Sequence, residues 1–278
     1  MGKEQYSEER LNKLNYTKFV RLLGVGRVIF YTMIRTIQKE LNKKHKNKKG
    51  RRPKYGAREM AIIFLLYIKQ YNAMEDYAFE WDVSKSVICE YIHFVLDTLL
   101  KDRNFTLMGS KCTKNENSEN RLLDVTEIRI QRPKYNQKSK YSGKKKYHTM
   151  KIQIIKGTDT GFIYEIQIGL GAEHDFHLFK RTFEGTPKNV TYTADLGYVG
   201  INKIHNNSKI PKKKSKKHPL TEDDINYNKE IGSTRIFIEH TNGWIKRFKI
   251  LSTKFRNDLK FFSTFSVLIC AFYNFYIA

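Results

Sequence analysis

The sequence predicts an α+β fold, in which an all-helical amino-terminal part precedes a domain built on a mixed β-sheet. Up to residue 100 the apolar residues recur at helical spacing, whereas from residue 122 onward they alternate as in strands. A polar stretch at residues 101–121 separates the two patterns. We therefore expect a helical segment with a basic arm at residues 1–55, a second helical domain at 56–105 and the sheet domain at 118–278.

The charge of the chain points to a polyanionic partner. Lys and Arg number 52 against 28 Asp and Glu, which gives a formal net charge of +24, far beyond what solubility requires. Nucleic acid is the natural partner, although ribosomal proteins, membrane-surface proteins and proteins of AT-rich genomes share this composition. A hydrophobic content of 40% excludes wholesale disorder. The position of the basic residues must therefore decide between these classes.

Cysteine usage and the apolar segments indicate a protein of the cell interior. Cys89, Cys112 and Cys270 are odd in number and contain no CxxC pair, which predicts reduced thiols. Residues 1–14 lack the apolar stretch of a secretory signal. Residues 261–278 are apolar enough to resemble a membrane span, but polar residues interrupt them. We expect a buried terminal helix there and no association with a membrane.

The first two helices are predicted within residues 16–41, where Gly24 and Gly26 interrupt the helical pattern. A basic run follows at residues 43–54, broken by Gly50 and Pro53. Its like charges predict a segment that does not fold without a counterion. A solvated linker and an arm that contacts DNA phosphates both fit this run.

Three further helices are predicted at residues 57–69, 74–81 and 84–100. Before the last one, Val83 can fill the core and Ser84 can cap the helix, as in a helix-turn-helix motif. Ser84, Lys85 and Ser86 would then face a DNA groove, with Glu90 and Tyr91 beside them. An ordinary helical hairpin has the same periodicity and is the alternative interpretation.

The sheet domain begins with three strands at residues 122–130, 146–155 and 161–169, expected to be consecutive and antiparallel. A short helix at 175–183 and a strand at 190–194 follow. A second basic loop at residues 211–219 then precedes a long helix from Thr221 to about Phe248, and the terminal helix starts at Leu259.

Three acidic residues stand in apolar surroundings: Asp124 in the first strand, Asp195 just past a later strand, and Glu239 on the long helix. An unpaired carboxylate is costly there, and for any one of them alone a structural salt bridge is the simpler explanation. Together, a strand acid, a strand-end acid and a helix acid are typical of the ribonuclease H-like fold, whose carboxylates converge on two divalent ions. Oxygen ligands of this kind suit Mg²⁺ or Mn²⁺. Glu127 is a rival ligand, but it faces the other side of its strand.

Several blocks of the sequence resemble transposases of the insertion-sequence 5 family, which carry a DDE superfamily endonuclease domain. The blocks are residues 19–25, 82–87, 123–128, 141–151 and 194–200, together with Gly171 and His174-Asp175 before the short helix and the spacing of Arg235, Glu239 and Lys246. The likeness covers nearly the whole chain in the same order. It departs at Val125, where the family usually has Gly, and at Gly232, where related transposases often have Tyr.

The resemblance implies a metal-dependent transposase that binds terminal inverted repeats, cleaves DNA and joins the freed end to target DNA. It implies that Asp124, Asp195 and Glu239 hold two Mg²⁺ or Mn²⁺ ions, and that Arg235 or Lys246 contacts a phosphate near the cut. Lys144 and Lys145 lie in its basic hairpin and would also contact DNA. The expected partners are double-stranded DNA and further copies of the chain, in the cytoplasm of a prokaryote at the nucleoid.

Two other functions stay open at this point. A relative that has kept the fold and lost its chemistry would bind DNA without cutting it, and the intact acidic residues argue against this alternative. A nuclease that does not transpose would cut DNA without joining it. Only a test of strand joining separates this second alternative from a transposase.

Overall fold

The computed structural model describes residues 2–46, 52–107, 120–182, 190–214 and 219–278. The predicted α+β fold is confirmed, since helices form the amino-terminal part and a mixed sheet with helices forms the rest. Cys112, the middle of the first basic run and residues 215–218 of the second basic loop lie outside the described residues.

The amino-terminal part consists of short and long helices in close succession. They are α1 (Gly2–Gln5), α2 (Glu8–Asn12), α3 (Tyr16–Leu23), α4 (Arg27–His45), α5 (Ala57–Gln70), α6 (Met74–Glu80) and α7 (Lys85–Leu100). Helix α3 begins at Asn15, whose side chain accepts a hydrogen bond from the Lys18 amide at 2.9 Å, and ends at Gly24, where φ is 84°. The two helices predicted within residues 16–41 are confirmed.

Helix α4 extends further than the sequence suggested. It takes in Lys43 and Lys44, the start of the basic run that we expected not to fold alone. Lys43 forms an ion pair with Glu40 at 3.3 Å, and cations are favourable in the last turn of a helix because of its dipole. The expectation was therefore wrong for these two residues, which continue a helix already anchored by its buried face.

The sheet has six strands among the described residues. They are β1 (Arg121–Arg129), β2 (Tyr141–Ser142), β3 (Tyr147–Gly157), β4 (Ile163–Leu170), β5 (Tyr192–Thr193) and β6 (Ser208–Lys209). The order across the main sheet is β4-β3-β1-β5-β6, and β2 pairs with the start of β3. Strands β1, β3 and β4 are antiparallel neighbours, as predicted, whereas β5 and β6 run parallel to β1.

The remaining helices cover the two faces of the sheet. They are α8 (Gln137–Lys140), α9 (Asp175–Thr182), α10 (Glu222–Ile245) and α11 (Phe262–Ile277). Leu122 and Ile154 point into a large core that also contains residues of α10, α11 and the amino-terminal helices. Leu123 and Ile155 point the other way, into a smaller core that contains residues of α9. Alternation along the strands separates these two cores.

Helix α11 connects the two parts of the chain. The segment Leu259–Ile277 is long and apolar enough to cross a membrane, yet half of it is buried inside the protein. Phe265 stacks on Phe64 of α5 with ring centroids 6.3 Å apart, and Leu268 and Ile269 are completely buried. The expected buried terminal helix is thus observed, and one core runs across the predicted domain limits, which remain predictions.

A buried lysine fixes α10 to the sheet. The ammonium of Lys156 on β3 donates hydrogen bonds to the Thr241 hydroxyl at 2.7 Å, the Tyr273 hydroxyl at 3.0 Å and the backbone oxygen of Phe237 at 3.1 Å. All three acceptors are uncharged, and two of them lie on α10 within two residues of Glu239. The lysine therefore sets where that acidic residue stands relative to the sheet.

Gly232 on α10 gives a prediction about stability. A β-carbon at this position meets no atom within 4 Å, and glycine in a helix interior is less favourable than alanine by ~0.5–1 kcal/mol. Gly232→Ala should therefore raise the free energy of unfolding by about that amount, measured by urea denaturation. Gly171→Ala should lower it, because its β-carbon would collide with Thr149 and the Lys140 backbone. A loss of stability in Gly232→Ala would contradict this account.

Candidate active site

The register of two parallel strands brings Asp124 and Asp195 to the same level. Leu122 on β1 is paired with Thr193 on β5, and each acidic residue lies two positions further along its chain. The charge of Asp195 raises the pKa of Asp124, so the two carboxylates lie near each other. Asp195 lies just past the end of β5, where its side chain accepts a hydrogen bond from the Gly197 amide at 2.8 Å.

Helix α10 brings the third acidic residue to these two. Asn242 donates a hydrogen bond from Nδ2 to Oδ2 of Asp124 at 2.6 Å. One turn earlier on the same helix face is Glu239, and one turn before it is Arg235. The Arg235 guanidinium lies 3.9 Å from Oδ1 of Asp124 and 3.9 Å from Oε1 of Glu239. Strand β1 and helix α10 therefore hold both carboxylates around one cation.

The charge on Asp124 is only partly compensated. Burial raises the pKa of Asp124 to about 6, Arg235 opposes the rise, and the charges of Asp195 and Glu239 add to it. At 3.9 Å the guanidinium is too far away to form a hydrogen bond with the carboxylate. A further cation at this position would stabilise the ionised form of Asp124.

The donor atoms of the site suit a divalent metal ion, but the side chains are not close enough together to form a complete set of ligands. Within the described residues, no three His, Cys, Asp or Glu side chains stand close enough together to hold a metal ion. Like-charged carboxylates repel one another in the absence of a counterion, and the Glu239 side chain is 58% exposed, which leaves it room to turn inward. The donors are all carboxylate oxygens, which fit Mg²⁺ or Mn²⁺.

Two of the predicted DNA-binding lysines, Lys246 and Lys145, influence each other's charge near this site. Partial burial lowers the pKa of Lys246, Asp124 opposes this change, and the nearby charge of Lys145 adds to it. Lys145 belongs to the exposed turn between β2 and β3, which also contains Lys144. Arg235, in contrast, lies between the carboxylates rather than on the outer rim. The structure thus brings a basic rim and an acidic centre together.

The residues assigned to the helix-turn-helix lie elsewhere, at the start of α7. Ser84 caps this helix by accepting a hydrogen bond from the Val87 amide at 3.3 Å. Lys85 and Ser86 are exposed, and Lys85 forms an ion pair with Glu75 of α6 at 2.5 Å. Their contact with DNA stays a prediction, as does the motif itself.

Tyr91 was expected to face a DNA groove, but the structure buries it. Its exposed fraction is 6%, and it lies among Ile88, Ile92 and Val95 on the buried side of α7. These four positions have the spacing of one helical stripe. The expectation was wrong because it placed Tyr91 on the polar side, although its position in the repeat belongs to the apolar one.

Two residues that lie at the site were not assigned to it from the sequence. Asn242 follows Glu239 by three positions, so its helical spacing was a signal that could have identified it. Asp175 lies beside Asp195, since a β-carbon on Gly197 would be 2.8 Å from Asp175 Oδ2 and 2.9 Å from Asp195 Oδ1. Asp175 also forms an ion pair with Lys151 at 2.8 Å. Nothing in the spacing of the sequence indicated this second proximity.

Comparison with known proteins identifies the family of the chain. The family model of the DDE superfamily endonucleases matches residues 123–274, a segment that contains all three acidic residues. The chain therefore belongs to the DDE superfamily endonucleases, which use divalent metal ions. It is 36% identical over 272 residues to a probable transposase for insertion sequence element IS702 from Microchaete diplosiphon, a match that covers 97% of this chain and 98% of the relative. The predicted resemblance to transposases of the insertion-sequence 5 family is thus confirmed. No solved structure matches the chain.

The raised pKa of Asp124 predicts a pH dependence of stability in metal-free buffer. The folded state holds this proton more tightly than the unfolded state, whose Asp titrates near 4, so stability is lost as pH rises from ~4 through about 6. Asp124→Asn should abolish that loss and stabilise the protein at pH 8 by on the order of 2 to 3 kcal/mol. Urea denaturation in EDTA at pH 5 and pH 8 measures this difference. The exposed Asp97→Asn is the control, and equal profiles for the two variants would contradict the prediction.

Proposed function

We propose that this protein is a DNA transposase that binds the terminal inverted repeats of its element, cleaves there and transfers the freed 3′ end to target DNA. The observation that carries the proposal is the parallel register that sets Asp124 beside Asp195 below the helix bearing Glu239. The family match and the relative named as a probable transposase support the same function. The net charge of +24 supports a DNA substrate.

In this proposal Asp124, Asp195 and Glu239 are the catalytic residues and the ligands of two Mg²⁺ ions, with Mn²⁺ as a substitute. When bound, such ions activate an attacking oxygen and stabilise the leaving oxygen of a phosphodiester. The protein itself supplies orientation. Asn242 holds one carboxylate through its 2.6 Å hydrogen bond, and the Gly197 amide holds another through its 2.8 Å bond. Supporting contacts of this kind fix the direction in which ligands point.

The basic rim would position the DNA backbone. The charge of Lys246 interacts with those of Asp124 and Lys145, so phosphates flanking the cut would pass near these lysines, and Lys144 belongs to the same turn as Lys145. Phosphate contacts set the register of the strand without reading its sequence. Arg235 would stabilise negative charge at the centre of the site, since it already lies between two carboxylates.

Assembly and location follow from the proposed reaction. Two ends of an element must be held together for transposition, and the described residues contain one such acidic site per chain. We therefore expect a homo-oligomer on double-stranded DNA, at the nucleoid in the cytoplasm of a prokaryote. Helices α6 and α7 would recognise the repeats through Ser84, Lys85 and Ser86.

The cleavage test uses the purified protein, Mg²⁺ or Mn²⁺, and DNA that carries the terminal repeats with their flanks. Asp195→Asn and Glu239→Gln should reduce cleavage at the repeat ends by roughly 100-fold or more. Glu127→Gln is the matched control, because Glu127 faces away from the site and accepts a hydrogen bond from Thr149 at 3.0 Å. Its cleavage rate should stay close to that of the parent protein.

The same reactions separate the alternatives. Joined products with a supercoiled target plasmid support a transposase, whereas cleavage without joining indicates a nuclease that does not transpose. If the parent and Asp195→Asn both bind the repeats and neither cuts with either metal, the protein is an inactive DNA-binding relative. A Glu127→Gln variant as impaired as Asp195→Asn would refute the site assignment.

Recognition by α7 gives a separate prediction. Lys85→Ala combined with Ser86→Ala should lower the affinity for repeat DNA at least about tenfold, while affinity for unrelated DNA falls much less. Lys101→Ala at the other end of α7 is the control for lost charge. Electrophoretic mobility shifts at two salt concentrations measure both affinities. An equal loss on both DNAs would mean that these residues contact phosphates without recognising sequence.

A further inference from the structure

A second basic site lies at the carboxyl-terminal end of α10, where Arg247 follows the helix. It is a cavity of about 310 Å³ between α3, α5 and the ends of α10 and α11, a volume within the roughly 300–1,000 Å³ of small-ligand pockets. Its walls include Arg21, Lys69 and Arg247, together with Tyr16 and Tyr276. Among the described residues that line it, none is acidic.

The three cations of this cavity are available to a ligand. Lys69 donates a hydrogen bond to the backbone oxygen of Arg247 at 2.8 Å. In the part of the chain that the structure describes, Arg21, Lys69 and Arg247 form no ion pair with a carboxylate. Burial lowers the pKa of Lys69, and the charges of Arg247 and Lys249 lower it further. A bound anion would relieve this repulsion.

Aromatic rings give the cavity a second property. The guanidinium of Arg247 lies 4.5 Å from the centroid of Trp244 and 5.9 Å from that of Tyr276, an arrangement that holds its plane in place. Tyr16 and Tyr276 are exposed to 58% and 48%. The Tyr276 ring also packs against Trp244, with centroids 5.6 Å apart. A simple anion requires no aromatic contact, whereas cations beside exposed aromatic rings are typical of sites for unpaired nucleotides.

The chain connects this cavity to the acidic site. Lys246, which interacts with Asp124, and Arg247, which lines the cavity, are consecutive residues, and neighbouring Cα atoms are ~3.8 Å apart. We propose that the cavity binds a nucleotide of an unpaired DNA strand, with its phosphate on Arg21 and Arg247 and its base against Tyr276. The proposal rests on the proposed function, because it assigns this strand to the DNA that the acidic residues cut.

The test measures binding without cleavage. The full chain in EDTA is titrated into a labelled short single-stranded oligonucleotide and into a blunt duplex of the same sequence, followed by fluorescence anisotropy. Arg21→Gln should weaken binding of the single strand about tenfold. Lys18→Gln removes one charge from the same helix outside the cavity and should change it less than twofold. Equal effects of the two variants would mean that only overall charge matters and would overturn the proposal.

The aromatic part is tested at Tyr276. Tyr276→Leu should weaken single-strand binding about tenfold and leave duplex binding unchanged, while Tyr276→Phe should keep the parent affinity. A 2-aminopurine base in the strand should be quenched by the parent protein and by Tyr276→Phe, but not by Tyr276→Leu. Full displacement of the strand by inorganic pyrophosphate with quenching unaffected by Tyr276→Leu would indicate an anion site without base recognition and would refute the proposal. Since no cleavage is measured, a protein that fails the cleavage test can still pass this one.

Discussion

One buried negative charge, the carboxylate of Asp124, constrains the rest of the candidate site. Burial raises its pKa to about 6, so the ionised form depends on stabilising groups from neighbouring elements. Helix α10 contributes a hydrogen bond from Asn242 and a nearby cation in Arg235, while Lys246 adds positive charge from beyond the end of the same helix. The compensation is incomplete, so a further cation beside Asp124 would stabilise its ionised form. Strand β1 carries the negative charge of Asp124, and helix α10 places its hydrogen-bond donor and its cation beside that charge.

The placement of α10 depends in turn on contacts far from the acidic residues. Lys156 ties the helix to β3 through Thr241 and to α11 through Tyr273. On the other side, the Tyr71 hydroxyl at the end of α5 accepts hydrogen bonds from the amides of Arg256 at 2.6 Å and Asn257 at 3.2 Å. The amino-terminal helices therefore support the same carboxyl-terminal segments that position the acidic residues.

The sequence predicted the helices and strands better than the tertiary contacts between them. Helical and alternating patterns located the main helices and the three antiparallel strands, because burial of one face imposes those periods. The three acidic residues were identified from apolar surroundings and family resemblance. The proximity of Asp175 to Asp195 was not predictable, because it depends on how α9 packs beside the loop after β5. Tyr91 was misplaced because aromatic residues with a hydroxyl suit both a wet groove and a core, and only packing decides.

The core shared across the predicted domain limits determines what a truncated copy of the protein can do. Phe64 and Phe265 stack between α5 and α11, and the faces that they belong to are buried only while both are present. A gene copy that lost its beginning would expose the apolar side of α11 and leave α10 without part of its support. Such a truncated chain would misfold or aggregate instead of folding into a nuclease domain without its amino-terminal helices. In a protein of the proposed function, the capacity to cut would therefore be lost together with the part that is proposed to select where to cut.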